Sequence, residues 1–276
     1  ETWRKAHPSL EPAGFMPVSA IRRLNEDALQ DPTKIAAFKR FQLNIWDQRA
    51  TRAIDAQAWA ACGAETRSLI DRKCWIGVDL SSTTDFTSVS LWFPDDADKS
   101  ADLLSFSFLP RSRARAVGLK CAVPLDLWAE AGHLELTAGN SVDYDAVIRR
   151  IEWARECFDV QIVGIDDWNA THVEGELIKR GLSVVKLRQG TATLSAPTKT
   201  LLGMVLDGRI RHGGNPLLAW AASCCETDDD GNDNIRFQKP SRDKEGKRID
   251  PIAATVNAIA CWQRTPTEQS PGVYVF

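Results

Sequence analysis

The stretch "WIGVDLSSTTDFTSVSLWF" (75–93) reads as two β-strands joined by a short polar turn. Asp79 interrupts the otherwise apolar first run of Ile76, Val78 and Leu80, and Asp85 stands at the head of the second. A carboxylate in a strand is costly unless it is paired or holds a metal. Period-two alternation continues in "LLSFSFL" (103–109), which predicts strands at 75–80, 87–93 and 103–109 in an antiparallel meander. The intervening "DDADKSAD" (95–102) reads as a solvated hairpin connection.

Downstream the period changes. An amphipathic helix is expected over 141–158, then a buried strand at 160–165, a helix at 170–181 closed by Gly181, and a strand at 182–187. Helices are expected at 196–208, with Pro197 near the first turn, and at 216–226. The acidic loop 228–234 precedes the strand-like "IRFQK", and a last helix spans 250–262 with Asp250 as N-cap and Pro251 at its first position. A meander followed by βα units predicts an α/β fold, a mixed sheet covered by helices. Upstream, Pro8, Pro12, Gly14 and Pro17 punctuate residues 1–18, and a helical pattern then runs from 18 to 50. Ile21, Leu24 and Ala28 share one face, and Ile35, Phe38, Phe41 and Ile45 another; Trp46, Trp59 and Cys62 carry the apolar trace toward residue 70. Residues 1–70 therefore read as a helical arm packed on a main domain at 71–265, with 266–276 as a tail.

The 276 residues are 43% hydrophobic, enough for a real core, and carry a formal net charge of −3. Near-neutrality gives no global attraction for nucleic acid, so such a partner needs a local basic face. The 7 cysteines form no CxxC pair, which argues against a zinc site or disulfide framework and for a reducing compartment. Neither a signal peptide nor an apolar run of membrane-spanning length is present in the sequence. The chain begins with Glu1 rather than Met, as expected of a fragment or a processed product.

Three acids stand out by position: Asp79 in the first strand, Asp166 at the end of "VQIVGI", with Asp167 beside it, and Asp250 at the head of the last helix. If the 75–80 and 160–165 strands are neighbours, Asp79 and Asp166 lie side by side and the last helix delivers Asp250. Clustered carboxylates are best stabilised by hard divalent cations with oxygen ligands, and two such ions can clamp a phosphodiester. Each acid also has a structural alternative: Asp250 as a helix cap, "DDW" (166–168) as a turn, and Asp85 as organiser of the 81–85 turn through side-chain to backbone hydrogen bonds.

The sequence around these acids resembles the nuclease domain of tailed-bacteriophage terminase large subunits. The likeness runs through "WIGVDLSSTTDFTSVSLWFP", "VPLDLWAEAGHLELTAGNSVDYDAV" (123–147), "IVGIDDWNATHVEGELIKRG" (162–181), "QGTATLSAPTKTLLGMVLDGRIRHGGNPLLAW" (189–220) and "KRIDPIAATVNA" (247–258). "FKRFQLNIW" (38–46) and "AWAACG" (58–63) are similar to the segment linking that family's ATPase and nuclease domains. The resemblance implies a ribonuclease H-like fold and an endonuclease cutting concatemeric double-stranded DNA during viral genome packaging. It implies two Mg²⁺ or Mn²⁺ ions on Asp79, Asp166 and Asp250, with Asp167, where the family carries Pro or a basic residue, as a further candidate ligand. Asp85 and His212 are the supporting candidates. The implied partners are double-stranded DNA, an upstream ATPase domain of the full-length chain, the terminase small subunit and the portal, in the host cytoplasm. No GxxxxGK[ST] phosphate loop occurs in the sequence.

A nuclease needs positive charge near phosphate. Candidates for DNA contact are Lys199, Arg209, Arg211, Lys239, Lys247 and Arg248, with Lys186, Arg188, Arg242, Lys244 and the exposed "RSRAR" run (111–115) as further basic groups. Two rival readings stand beside the nuclease. An actin-like or sugar-kinase-like ATPase also begins with a strand, an Asp and a Thr-rich hairpin, but Ser81 and Ser82 occupy the place where a phosphate-cradling turn needs glycine. A non-catalytic packaging or scaffold module would use its acids only to cap and turn.

Overall fold

The computed structural model describes residues 2–12, 14–30, 32–44, 52–81, 85–166, 170–240 and 246–265. The chain divides into two compact units, Glu1–Ala53 and Ile54–Phe276. The expected arm reached residue 70; the division falls earlier because residues 59–64 are tied into the second unit. There His212 and Gly213 donate their backbone N–H groups to the carbonyls of Cys62 and Ala64.

The first unit holds helices α1 (Thr2–Ala6), α2 (Val18–Gln30) and α3 (Pro32–Gln42) around Leu10, Ile21, Ala28 and Phe38. The expected faces are only half used, since Leu24 and Phe41 are exposed. Ile45 and Trp46 lie outside the described residues.

The second unit opens with α4 (Ala56–Ala61) and the meander β1 (Lys73–Asp79), β2 (Thr87–Asp95) and β3 (Ser100–Pro110). Next come α5 (Arg111–Cys121), α6 (Leu125–Glu130), β4 (Glu135–Thr137), α7 (Tyr144–Cys157), β5 (Asp159–Asp166), α8 (Thr171–Lys179) and β6 (Val184–Leu187). The chain continues through α9 (Thr191–Leu206), β7 (Ile210–Arg211), α10 (Pro216–Ser223), the hairpin β8 (Glu226–Asp229) and β9 (Ile235–Gln238), and α11 (Asp250–Arg264). Among the described residues no helix is long and apolar enough to cross a membrane, and all seven cysteines are free thiols.

The main sheet has 7 strands in the order β4-β3-β2-β1-β5-β6, with β7 on β3. β1, β2 and β3 pair antiparallel, whereas β1, β5 and β6 run parallel. This is the expected mixed sheet, an antiparallel meander plus parallel strands, flanked by helices. Period-two alternation sorts its two faces. Ile76, Val78, Val89, Leu91, Phe93, Val163 and Ile165 form one core with Val147 and Ile151 of α7 and Val173 and Leu177 of α8. On the opposite face α11 lies directly over the small residues Gly77, Ser88, Ser90 and Gly164, with Trp75 and Trp92 in the same phase packing near its C-terminal end. A Cβ on Gly77 would stand 2.0 Å from the Ala254 carbonyl oxygen, and one on Gly164 would stand 2.4 Å from Cys261 Sγ. Glycine at these two positions is what lets a helix backbone approach two strands so closely.

Two helix starts differ from expectation. α9 begins at Thr191, so Pro197 lies in its interior rather than in its first turn. There it removes one N–H that would have bonded the Thr193 carbonyl. In α11 the cap position belongs to Ile249, and no side chain caps the helix. Asp250 is already inside the helix, which leaves its carboxylate unused by capping.

Candidate active site

β1 and β5 are adjacent and parallel, with Val78 opposite Ile165. One step further along the same register, the two strands end in Asp79 and Asp166 side by side, with backbones about 5 Å apart. Both acids follow the phase of Gly77 and Gly164, so both belong to the face that α11 covers. The first turn of α11 is anchored to that face. Ser90 Oγ donates to the Pro251 carbonyl (3.1 Å), and Thr255 Oγ1 lies within hydrogen-bond distance of both Ser90 Oγ (3.1 Å) and the same carbonyl (2.8 Å), with one proton to give to either. One turn further on, Asn257 Nδ2 donates to the Val78 carbonyl at 3.0 Å. Asp250 is thereby delivered to the carboxyl ends of the parallel strands, where open α/β sheets bind ligands.

The electrostatics register this convergence. Burial, then the charges of Asp250 and Asp166, push the Asp79 carboxyl well above the usual range against the pull of Lys239. Burial pushes Asp250 up to about 6, again opposed by Lys239. Asp250 is only 5% exposed, and its Oδ2 is a buried acceptor with no hydrogen-bond partner. Asp79 and Asp166 are half-buried at the ends of their strands. Asp167 lies outside the described residues.

Asp85 reaches beyond its turn, whose residues 82–84 lie outside the described residues. Its carboxylate binds Lys239 Nζ through Oδ2 and Arg248 Nε through Oδ1, both at 2.6 Å. Ser81 Oγ donates to the Asp85 carbonyl (2.8 Å), and the Ser81 N–H donates to Thr87 Oγ1 (3.0 Å). Lys239 also stands 3.8 Å from Asp250. Burial opposes charge on Lys239, but Asp250 and Asp85 outweigh it and hold the ammonium protonated. Two expected DNA contacts, Lys239 and Arg248, thus lie at the acid cluster but are engaged by Asp85. Lys247 lies beside them, half-buried, and Arg188 follows β6 at the same end of the sheet, exposed.

The remaining candidates lie elsewhere. β7 pairs with the start of β3, Asp102 opposite Arg211, whereas Asp79 aligns through Ser88 with Ser107. Five residues of β3 separate the two, about 17 Å. Arg211 donates from Nε to Asp102 Oδ1 at 2.9 Å, and Arg209 pairs with Asp207 at 2.6 Å. His212 is buried, stacked on Trp59 at 4.5 Å between ring centroids, with Nε2 2.9 Å from the Trp59 carbonyl oxygen. Burial lowers its pKa. Lys199 reaches Asp233 on the β8–β9 hairpin. The structure brings none of these four to the acids. Arg242 and Lys244 lie outside the described residues.

Asp102, expected in a solvated connection, is fully buried. It accepts from Arg72 (2.8 Å), Arg211 (2.9 Å) and Arg67 (3.0 Å). Its signal was present in the sequence: carried back one more step, the alternation of Phe108, Phe106 and Leu104 puts Asp102 on the core face.

The family profile described as "Terminase large subunit, endonuclease domain" matches residues 1–265. The chain belongs to this family. Within it, the chain is 28% identical over 272 residues to the large terminase subunit of Enterobacteria phage HK97, covering 98% of this chain and 52% of that protein. It is 25% identical over 233 residues to Protein YmfN of Escherichia coli (strain K12), covering 80% of this chain and 51% of that protein. The crystal structure of the HK97 large terminase superposes with a TM-score of 0.69 at 26% identity, over 94% of this chain and 53% of that one. The chain spans about half the length of these curated relatives.

Proposed function

We propose that this terminase nuclease chain is a metal-dependent endonuclease that cuts concatemeric double-stranded DNA during viral genome packaging. The observation that carries the reading is the convergence of Asp79, Asp166 and Asp250 at the ends of two parallel strands, with one buried carboxylate oxygen of Asp250 lacking a partner. That donor set fits a hard divalent cation, Mg²⁺ or Mn²⁺. All its side-chain ligands are oxygens, burial and mutual repulsion keep the acids poised for a cation, and Asp250 Oδ2 is left over for it. Among the described residues no group of three His, Cys, Asp or Glu side chains is drawn tightly enough to hold one ion; Mg²⁺ retains several waters and shares its shell with substrate phosphate, so one or two carboxylates per ion suffice.

In this reading Asp79, Asp166 and Asp250 would together hold the divalent ions. When bound, the ions supply Lewis-acid stabilisation of the phosphodiester and a hydroxide nucleophile at neutral pH. The protein's own part is positional. The Ser90 and Thr255 bonds and the glycine seats of α11 fix Asp250 against the sheet. Asp85 holds Lys239 and Arg248 at the rim, where their charge offsets that of the approaching phosphates. The small subunit, the portal and an upstream ATPase domain are the proposed partners of the full-length protein.

Supercoiled plasmid with Mg²⁺ or Mn²⁺ tests this. Nicking should stop with chelator, and should fall by about 10³-fold or more in Asp79→Asn, the several kcal/mol that cation binding supplies. Circular dichroism must show that variant folded. A folded wild-type protein that never nicks DNA with either metal would leave the rival scaffold reading standing.

A further inference from the structure

The charges on α5 run against the stability of the helix. A helix N-terminus carries partial positive charge and favours acids. α5 has no acid in its first turn and no side-chain cap, yet Arg111, Arg113 and Arg115 crowd its start, all exposed. Arg111 and Arg115 are four apart on one face, a repulsive spacing. Among the described residues none of the three has an ion pair or hydrogen bond on its guanidinium. Other basic side chains of this unit are engaged: Lys186 by Glu174, Lys199 by Asp233, Arg236 by Asp228 and Lys239 by Asp85.

The placement is specific. β3 ends at the same end of the sheet as Asp79, and α5 follows it without a loop. By register Arg111 lies two strands across from Asp79 and four residues beyond Ser107, about 10 Å sideways and 13 Å along the strands. The apolar side of α5, Ala114, Val117 and Cys121, packs in one core with Phe86, the neighbour of Asp85. Ser112 Oγ donates to the Gly139 carbonyl at 3.0 Å and ties down the first turn. The arginines therefore stand on a rigid support beside the site.

We propose that α5 is the DNA track of this nuclease: Arg111 and Arg115 on one flank of its buried stripe, and Arg113 on the other, seat backbone phosphates of the duplex whose scissile bond lies over Asp79. The inference rests on the nuclease reading and adds to it where the substrate lies. Unpaired guanidiniums at uncapped helix N–H groups suit phosphate oxygens. The roughly 6 Å between Arg111 and Arg115 along the helix axis corresponds to about two successive phosphates of one strand.

The test is salt-dependent binding of a fluorescent 30-base-pair duplex to the 276-residue chain in the Asp79→Asn background, so that no cutting intervenes. Replacing all three arginines by Gln should weaken binding about 10- to 100-fold at low salt and make the slope of log K on log salt less negative by about 2 to 3. Replacement by Lys should preserve most of both. Removing three lysines at the opposite end of the sheet, Lys73→Gln, Lys99→Gln and Lys179→Gln, should change affinity less than about twofold, since these charges lie away from the track. Unchanged affinity and slope in the Gln variant, an equal loss in the Lys variant, or an equal loss in the opposite-end variant would each overturn the assignment. Plasmid nicking by the wild type reports separately on the nuclease reading.

Discussion

Asp102 and Asp250 are both buried aspartates held against one sheet, at its opposite ends, and their surroundings drive them in opposite directions. Burial pushes the Asp102 carboxyl up, but hydrogen bonds from Arg211, Arg72 and Arg67 outweigh it and hold the pKa at about 2. At the other end burial and like charges prevail, and Asp250 rises to about 6. Three guanidiniums satisfy the first acid completely. The second has Lys239 at 3.8 Å and an oxygen with no partner. The same residue type is a finished structural joint where its counter-charges are built in, and an acid left under-compensated, as the proposed metal site requires, where they are not.

The harshest way to break this comparison is Asp102→Ala. It would strand three arginines around a buried gap, and should cost about 3–5 kcal/mol in urea unfolding. A loss below 1 kcal/mol would mean the joint is solvated after all. Gly77→Ala acts on the other end through packing. The new methyl meets the α11 backbone, so about 2–3 kcal/mol should be lost and Asp250 displaced, with nicking reduced beyond what the stability loss explains. A variant as stable and active as wild type would show that α11 can lift from the sheet at no cost.

Acid-end substitutions sharpen the comparison with smaller effects of opposite sign. The folded pKa of Asp250 is raised, so its stabilising contribution is full below about pH 4 and lost as pH rises through 6. The folded pKa of Asp102 is depressed, so its contribution is present above about pH 4 and lost as pH falls toward 2. From these two groups, metal-free protein should be most stable near pH 4. Asp250→Asn should reduce the decline between pH 4 and 7 by the share that Asp250 contributes, stabilising the chelated protein by about 1–2 kcal/mol at pH 7 while abolishing nicking. Urea midpoints across that range, with EDTA, measure both limbs.

Much of the acid end was legible because strand and helix periods are local. "WIGVD", "VQIVGI" and "DPIAATVNAIACW" announce their elements, and each acid stands at an element end. What was not legible depends on partners distant in sequence. Gly77 and Gly164 look like ordinary strand glycines until α11 is laid on them. Asp85 looks like a turn residue because Lys239 and Arg248, more than 150 residues later, are invisible to local reasoning. Arg211 looked free for DNA because its owner, Asp102, lay in an acidic stretch that composition marks as solvent-exposed. α5 and the short strands β4 and β7 have too little periodicity to declare themselves.

The most direct measurement is a crystal structure of the protein soaked in Mn²⁺, with anomalous diffraction to locate the ion. The account predicts anomalous density bounded by Asp79, Asp166 and Asp250, with none at Asp102. Density absent from the acid end in crystals of a protein that still cuts DNA with Mn²⁺ would contradict it.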